Sequence, residues 1–327
     1  MPAAPVLEVR DLRVEYATAR GPVAAVLDVD LDVAEGEFVG VVGESGCGKS
    51  TLLFAIAQLL SPPASTTAGS VVFRGQNLVA MTDRQLRALR WRDYSVVMQS
   101  AMNALNPVTS IGAQFKDAIA AHSDMPARQV TDRSVEVLRL VGIDPVHLRS
   151  YPHQLSGGMR QRAMIAMALL FTPDLVIMDE PTSALDVVAQ RSLMVQIKEL
   201  QQRLGFAVVF VTHDMSLVSH FSDRLLVMYA GQVVEAGPTR TVFDTPAHPY
   251  SRGLLDAFPS IRGPRVPLTG IPGSPPDLAK PPPGCRFHPR CPVAFADCDH
   301  VEPALYAAGA AEARCLLHAP DREGVRA

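Results

Sequence analysis

Nine residues decide the fold of this chain: Gly43-Glu44-Ser45-Gly46-Cys47-Gly48-Lys49-Ser50-Thr51. They fit the pattern GxxxxGK[ST], in which glycines let the backbone fold around phosphates and successive N–H groups become ligands. The apolar run Glu37 to Val42 leads into this loop, and Lys49 to Leu60 reads as a helix stopped by Pro62-Pro63. Strand, loop and helix together predict a phosphate-binding unit in which Lys49 meets the β- and γ-phosphates and Ser50 meets Mg²⁺.

The segments on either side of this unit alternate between strand and helix patterns. Upstream, Val6 to Tyr16 and Val23 to Val33 read as strands. Downstream, a Thr82/Gln85 capping box opens a predicted helix that runs through Trp91, followed by a strand at 95–98 and a mostly helical stretch at 110–142. From 174 onward strands and helices alternate: a strand at 174–178, a helix at about 187–204, a strand at 206–211 and a helix from about 214. A strand at 224–229 and a hairpin at Gly231 complete the pattern. Strands that alternate with helices predict a largely parallel sheet.

Two carboxylates end the apolar strand Leu175-Val176-Ile177-Met178-Asp179-Glu180. Ligands of open parallel sheets bind at the carboxyl ends of the strands, and a buried acid is costly unless it has a cation or a proton to manage. We expect Asp179 to hold Mg²⁺ and Glu180 to orient and polarise an attacking water. A solvated strand end is the alternative for this pair alone, and the phosphate loop upstream favours the catalytic interpretation.

A second glycine pair lies in Leu155-Ser156-Gly157-Gly158-Met159-Arg160-Gln161, between the phosphate loop and the acidic strand. It precedes the apolar, helix-like run Met164 to Phe171, so bare N–H groups and the helix dipole can face an anion. The phosphate loop at 43–51 already binds the chain's own nucleotide in this prediction, so the pair at 157–158 has no phosphate of its own to bind. It therefore predicts that Ser156, Gly157 and Gly158 act on a nucleotide shared between two ATPase domains.

Four further residues have more than one possible role when each is considered without the surrounding motifs. Gln99 follows the strand at 95–98 and could sense Mg²⁺ and water, or be polar surface; His213 ends an apolar strand and could touch a γ-phosphate, or have a structural role. Tyr16 could stack on adenine or be a strand aromatic. Asp186 could cross a dimer seam, serve as a helix N-cap, or do both.

The bulk composition bounds the class of protein. The chain has 327 residues, a formal net charge of −3 and a pI near 6.3, which argues against a general nucleic-acid-binding surface. Although 48% of the residues are hydrophobic, the apolar runs are about eight residues long, and spanning a bilayer takes roughly 18. The start, Met1-Pro2-Ala3-Ala4-Pro5, has no secretory pattern, so we expect a cytoplasmic protein with reduced thiols.

The C-terminal part differs in composition from the rest. Prolines recur through 259–292, which excludes regular helix or central strand there, and four cysteines cluster near the end: Cys285, Cys291, Cys298 and Cys315. In a reducing compartment this density suggests a metal more than disulfides, yet the spacing is not the CxxC knuckle of zinc sites. An iron–sulfur cluster, a zinc ion and plain reduced thiols all stay open.

The order of these motifs resembles that of ATP-binding cassette (ABC) ATPases over about 235 residues. The resemblance implies an α/β fold: a RecA-like P-loop ATPase core with an antiparallel β subdomain, a helical signature subdomain inserted at about 82–172, and a Pro/Cys-rich extension, with the cassette at 1–236 and the extension at 237–327. It implies ATP and Mg²⁺ as ligands, Glu180, His213 and Gln99 as catalytic residues, and Ser50, Gln99 and Asp179 as Mg²⁺ contacts. The implied ATP contacts are Tyr16, Gly43, Ser45, Gly46, Cys47, Gly48, Lys49, Ser50, Thr51, Ser156, Gly157, Gly158 and Asp186.

The tail resembles the C-terminal extension of dipeptide and oligopeptide importer ATPases in three stretches, at 245–255, 267–276 and 285–292. Nickel-type importers share this extension. The resemblance implies a [4Fe-4S] cluster on the four cysteines, a second ABC ATPase domain and two transmembrane permease subunits as partners, an extracytoplasmic substrate-binding protein as an indirect partner, no nucleic acid, and a peripheral place on the cytoplasmic face of the membrane. A soluble ABC ATPase acting on DNA or ribosomes, or a regulatory ATP sensor, are the competing readings; the short insert and the intact Glu180 and His213 weigh against them.

Overall fold

The computed structural model describes residues 4–99, 104–183, 185–257 and 270–320. The strands are β1 (Leu7–Thr18), β2 (Gly21–Val33), β3 (Phe38–Val42), β4 (Ala64–Phe73), β5 (Gln76–Asn77), β6 (Tyr94–Val97), β7 (Leu175–Asp179), β8 (Ala207–Val211), β9 (Arg224–Tyr229), β10 (Gln232–Pro238), β11 (Tyr306–Ala308) and β12 (Ala311–Ala313). The α-helices with described bounds are α1 (Lys49–Ile56), α2 (Asp83–Leu89), α3 (Ile111–Ala120), α4 (Ala127–Leu140), α5 (Gly157–Ala168), α6 (Val187–Leu204), α7 (Met215–Phe221), α8 (Thr239–Asp244) and α9 (Pro249–Asp256). Residues 259–269 of the predicted proline-rich stretch lie outside the described residues.

The chain forms two compact units, each built from several segments. The first unit takes the described parts of 1–7, 32–38 and 72–211, and the second takes those of 8–31, 39–71 and 212–327.

The first unit has three parallel strands in the order β8-β7-β6. Every residue of β7 and β8 is buried, as expected for strands of a parallel sheet that is covered on both faces. The chain passes from β7 directly to Glu180, and from β6 through Met98 to Gln99. Both residues therefore follow the carboxyl ends of neighbouring strands.

Helices α2 to α6 complete the first unit. The predicted capping box is present at α2, where the side chains of Thr82 and Gln85 each pair with the other residue's backbone N–H. This helix ends at Leu89, not Trp91, because Arg90 leaves the helical conformation with ψ of 142° and Trp91 follows in the left-handed region with φ of 68°. The helix predicted at 187–204 is confirmed: α6 is capped by Asp186 and stopped by Gly205 in the left-handed conformation.

The second unit contains the phosphate loop, and β3 in it runs parallel to β9. Strands β9 and β10 form the predicted hairpin, turning through Ala230 and Gly231, which both have positive φ. Beyond β10 the sheet continues antiparallel through β12 to β11. The C-terminal segment thus adds two strands to the sheet edge of this unit.

Helix α1 is shorter than the sequence predicts. It ends at Ile56, and Pro62-Pro63 does not stop it. Gln58 has a φ of 53°, and its side-chain amide donates to the Ala55 carbonyl at 2.6 Å. The left-handed Gln58, with the Leu59 N–H bonded to the Phe54 carbonyl at 2.8 Å, therefore closes the helix before the prolines are reached.

Within the described ranges, no helix combines the length and the apolar character that crossing a bilayer requires.

Candidate nucleotide site and cysteine cluster

The phosphate loop of the second unit follows β3 and leads into α1, as predicted. Gly43 and Gly48 have φ values of 152° and 105°, and a Cβ on them would lie 2.2 Å from the Met228 carbonyl oxygen and 2.1 Å from the Ala25 carbonyl oxygen. Only glycine fits at these two positions. Packing against neighbouring strands therefore fixes the shape of the loop.

Lys49 is buried, with 8% of its surface exposed. Its Nζ donates to the carbonyl oxygens of Gly43 and Glu44, both at 2.9 Å, and lies 3.8 Å from Cys47 Sγ. The ammonium group is thereby held inside the loop, where a nucleotide phosphate would need it. Burial raises the pKa of the Cys47 thiol, which suits a small loop residue and not a nucleophile.

The structure places the other predicted nucleotide contacts of this unit near α1 or at a strand end. The hydroxyl groups of Tyr16 and Thr51 are 3.2 Å apart, so Tyr16 stands beside the helix that the loop opens. His213 follows β8 and is exposed, and the next residue, Asp214, caps α7.

Two predicted site residues, Asp179 and Glu180, lie at the carboxyl end of β7 in the first unit. Asp179 is 2% exposed at the end of β7. Glu180 adopts φ of 44°, an uncommon conformation for a residue with a side chain, and its Oε2 accepts a hydrogen bond of 2.6 Å from Gln99 Nε2. The carboxylate and the amide predicted to handle water and Mg²⁺ are therefore in direct contact.

Ser156 is the N-cap of α5, and its hydroxyl accepts from the Met159 N–H at 3.2 Å. The residue is exposed, and a Cβ at Gly158 would meet nothing within 4 Å. Arg133 of α4 donates to the Leu169 and Leu170 carbonyls beyond the other end of α5, each at 2.7 Å. Helix α5 is thus anchored at its C-terminal end and presents its N-terminus openly.

The four cysteines of the tail are free thiols, and neighbouring thiols contribute to the raised pKa of Cys285, Cys291 and Cys315. Burial raises the pKa of Cys315 to about 12, with smaller contributions from the other three thiols. Burial also raises the pKa of Cys285 and Cys291. At each of these three cysteines, a hydrogen bond from the backbone N–H of the residue two positions later lowers the thiol pKa and partly offsets the effect of burial. Burial outweighs these bonds at all three thiols, so their protonated forms are favoured.

These thiols are not arranged as ligands of a single ion. In the part of the chain that the structure describes, no group of three or more His, Cys, Asp or Glu residues could hold a metal ion. The predicted metal centre, whether an iron–sulfur cluster or a zinc ion, gains no support from this finding.

Sequence reasoning missed one feature of the site, an ion pair between the phosphate loop and the tail. Arg290 binds the Glu44 carboxylate through both terminal nitrogens, at 2.7 and 2.9 Å. The two residues are 246 positions apart, and no periodicity or motif spacing connects them.

Comparison with known proteins places these motifs in context. The family model described as "ABC transporter" matches residues 26–183, and the one described as "Oligopeptide/dipeptide transporter, C-terminal region" matches residues 234–298. The chain is 44% identical to the dipeptide transport ATP-binding protein DppD of Bacillus subtilis, covering 91% of this chain and 90% of that protein. It is 42% identical to the oligopeptide transport ATP-binding protein OppD of Salmonella typhimurium, covering 92% and 90%.

Solved structures agree with this similarity. The ATP-binding cassette MJ0796, solved as a dimer bound to ADP and Pi, is 29% identical with a TM-score of 0.64, covering 72% of this chain and 99% of that one. Protein cbiO1 of Clostridium perfringens, part of a transporter complex, is 27% identical with the same TM-score, covering 74% and 92%. The predicted fold, an α/β P-loop ATPase core, is confirmed.

Proposed function

This chain belongs to the ABC transporter family of ATPases, and from that premise we propose that it hydrolyses ATP to energise the import of dipeptides or oligopeptides. One observation carries the proposal. The chain matches peptide transport ATP-binding proteins over nine-tenths of both lengths, including the tail that carries the peptide-transporter family match.

The residues divide the work of hydrolysis as follows. Lys49 binds the β- and γ-phosphates, and Ser50, Asp179 and Gln99 hold Mg²⁺, which offsets the phosphate charge when bound. Glu180 orients and polarises the attacking water. The 2.6 Å bond from Gln99 holds one of its carboxylate oxygens, which supports this role.

His213 completes the catalytic set in this proposal by contacting the γ-phosphate. Its place after a buried strand, with an exposed side chain, supports that contact.

The site works across a dimer of two ATPase domains. Ser156, Gly157 and Gly158 present open N–H groups at a helix start and would cap the γ-phosphate held by the partner's phosphate loop. Asp186 would line the same seam while capping α6. The dimeric state of the solved cassette MJ0796 supports this arrangement.

The membrane partners follow from the proposed transport function. Two transmembrane permease subunits bind the dimer on the cytoplasmic face of the membrane, where the chain is peripheral, and an extracytoplasmic substrate-binding protein acts indirectly. Nucleic acid is not a partner. In this scheme the cassette is 1–236 and the extension 237–327, and ATP-driven closure of the dimer is passed to the permeases.

We propose that Cys285, Cys291, Cys298 and Cys315 hold a [4Fe-4S] cluster. The support is the clustering of four thiols near the end of the chain, with the Cys285 N–H bonded to the Cys298 carbonyl at 2.9 Å. The cluster would supply a covalent link among distant parts of the tail and takes no part in hydrolysis.

Anaerobic purification followed by iron, sulfide and zinc analysis tests this assignment. We expect about four irons and four sulfides per chain, as the cluster formula requires. Stoichiometric zinc without sulfide, or four alkylatable thiols without any metal, would defeat it.

Co-isolation tests the transport function itself. The chain, tagged and expressed with its native partners, should co-purify with polytopic membrane proteins in mild detergent. Co-purification with nucleic acid or ribosomes in place of membrane subunits would support the competing class of soluble ABC ATPases.

A further inference from the structure

The tail binds the second residue of the phosphate loop. Both terminal nitrogens of Arg290 donate to the Glu44 carboxylate, in a two-pronged ion pair with side chains only 6% and 23% exposed. Such bidentate pairs combine charge with a fixed geometry. When a pair this sheltered loses one partner, the charge that remains is left poorly solvated.

The backbone of Glu44 is held as well. Its N–H donates to the Tyr250 hydroxyl at 2.8 Å, and its carbonyl accepts from Lys49 Nζ at 2.9 Å. The Tyr250 ring is fully buried, with the rings of Tyr229 and Phe287 at centroid distances of 4.6 and 5.4 Å. All three polar groups of Glu44 therefore have fixed partners, and two of those partners come from residues beyond 245.

Arg290 is itself firmly placed. Its Nε donates to the Pro272 carbonyl at 2.8 Å, and its guanidinium lies 5.8 Å from the centre of the Tyr229 ring. The hydrogen bonds with Glu44 raise the pKa of Arg290 further, so the guanidinium stays charged. The Glu44 carboxylate thus has a permanent counter-charge.

We infer that Arg290 and Tyr250 are positioning residues for nucleotide binding: they fix Glu44 so that the phosphate loop is preset for ATP. Arg290 also neutralises a carboxylate that would otherwise stand, unpaired, in a loop built to receive a triphosphate. Neither residue is catalytic. The inference rests on the proposed ATPase function and deepens it by making the peptide-transporter tail part of the nucleotide site.

Arg314 offers a matched control. It is an arginine of the same tail, half-buried, and it holds the tail through the carbonyl oxygens of Val233, Asp28 and Pro303 at 3.2 to 3.4 Å. These contacts involve no residue of the phosphate loop. Replacing Arg314 loosens the tail without touching Glu44.

The test measures the Kd for MgATP by calorimetry on the full chain, with melting temperature as the check of folding. Arg290→Met should raise the Kd about tenfold, within the range of typical coupling between sites. The double variant Glu44→Gln/Arg290→Met should raise the Kd less than Arg290→Met does, because it leaves no unpaired carboxylate in the loop. Arg314→Met should stay within about threefold of wild type. An unchanged Kd in folded Arg290→Met, or an equal rise in Arg314→Met, would overturn the inference.

Tyr250→Phe covers the case in which Arg290→Met does not fold, because it keeps the ring packing and removes only the hydroxyl. Its Kd should rise about fivefold, the scale of one lost hydrogen bond; an unchanged Kd contradicts the inference.

Coupling is reciprocal, so MgATP should slow hydrogen exchange at tail amides 285–298 in wild type. No change in that exchange also counts against it. Absence of MgATP binding to wild type would refute the proposed ATPase function instead.

Discussion

Glu180, the carboxylate proposed to act on water, has an uncommon backbone conformation and a direct side-chain partner. It leaves a fully buried strand in a left-handed backbone conformation and meets the Gln99 amide at 2.6 Å. Strain of this kind persists only where the surroundings impose it, and it collects at functional sites. The geometry supports a carboxylate aimed at a reacting water.

Glu180→Gln keeps the size of the side chain and removes its charge and basicity. We predict that ATP binding is retained and that turnover in the assembled complex falls by about 10²-fold or more, the scale of losing a positioned base. Steady-state ATPase assays measure this. Glu199→Gln, at an exposed position of α6, is the control and should keep full activity. Near-normal turnover in Glu180→Gln would remove the residue from its proposed role.

A second residue-scale prediction concerns acid stability. His248 is 1% exposed, its Nδ1 accepts from the Tyr250 N–H at 3.0 Å, and burial lowers its pKa to about 3. In the unfolded chain its pKa is about 6.5. The unfolded state therefore binds one more proton between pH 6.5 and 3, and the free energy of unfolding falls by up to about 1.4 kcal/mol per pH unit through that window.

His248→Asn keeps an acceptor at the N-cap of α9 and removes the titration. Denaturant unfolding at pH 8, 6 and 5 should show a smaller loss of stability on acidification than in wild type. Equal losses in the two proteins would mean that His248 does not govern this dependence.

At the scale of elements, the exposed start of helix α5 is the proposed contact with a second ATPase domain. Ser156→Arg should leave MgATP binding to the isolated chain unchanged and abolish ATP-driven dimerisation, because bulk and charge enter the γ-phosphate seat. Sedimentation with and without ATP measures the association. Ser156→Ala removes only the cap, worth about 1 kcal/mol, and should keep dimerisation. Equal loss of monomer binding and dimerisation in Ser156→Arg would argue against action in trans.

Elements were predictable where local signals set their ends. Asp186 and Gly205 bound α6 through an N-cap and a left-handed stop, and both signals are visible in the sequence. The end of α1 was predicted wrongly, because the Leu59 N–H bonds to the Phe54 carbonyl around a left-handed Gln58 and closes the helix ahead of the prolines. Boundaries set by such single contacts have no repeating pattern to reveal them.

At the scale of the whole molecule, the site motifs were readable because each depends on local chain geometry. The phosphate loop needs its glycines, and the acidic strand needs its apolar run. The Glu44–Arg290 pair and the pairing of β12 with β10 were not readable, because they join distant positions. The extension predicted at 237–327 is in direct contact with the phosphate loop through Arg290.

The central claim is that ATP hydrolysis by this chain drives peptide uptake, and reconstitution tests it most directly. The chain, its partner ATPase and its permease subunits are placed in proteoliposomes with the peptide-loaded binding protein, and accumulation of labelled peptide is measured with and without ATP. We predict uptake that requires ATP and is lost in Glu180→Gln. ATP hydrolysis without peptide uptake, or with uptake of nickel alone, would contradict the claim.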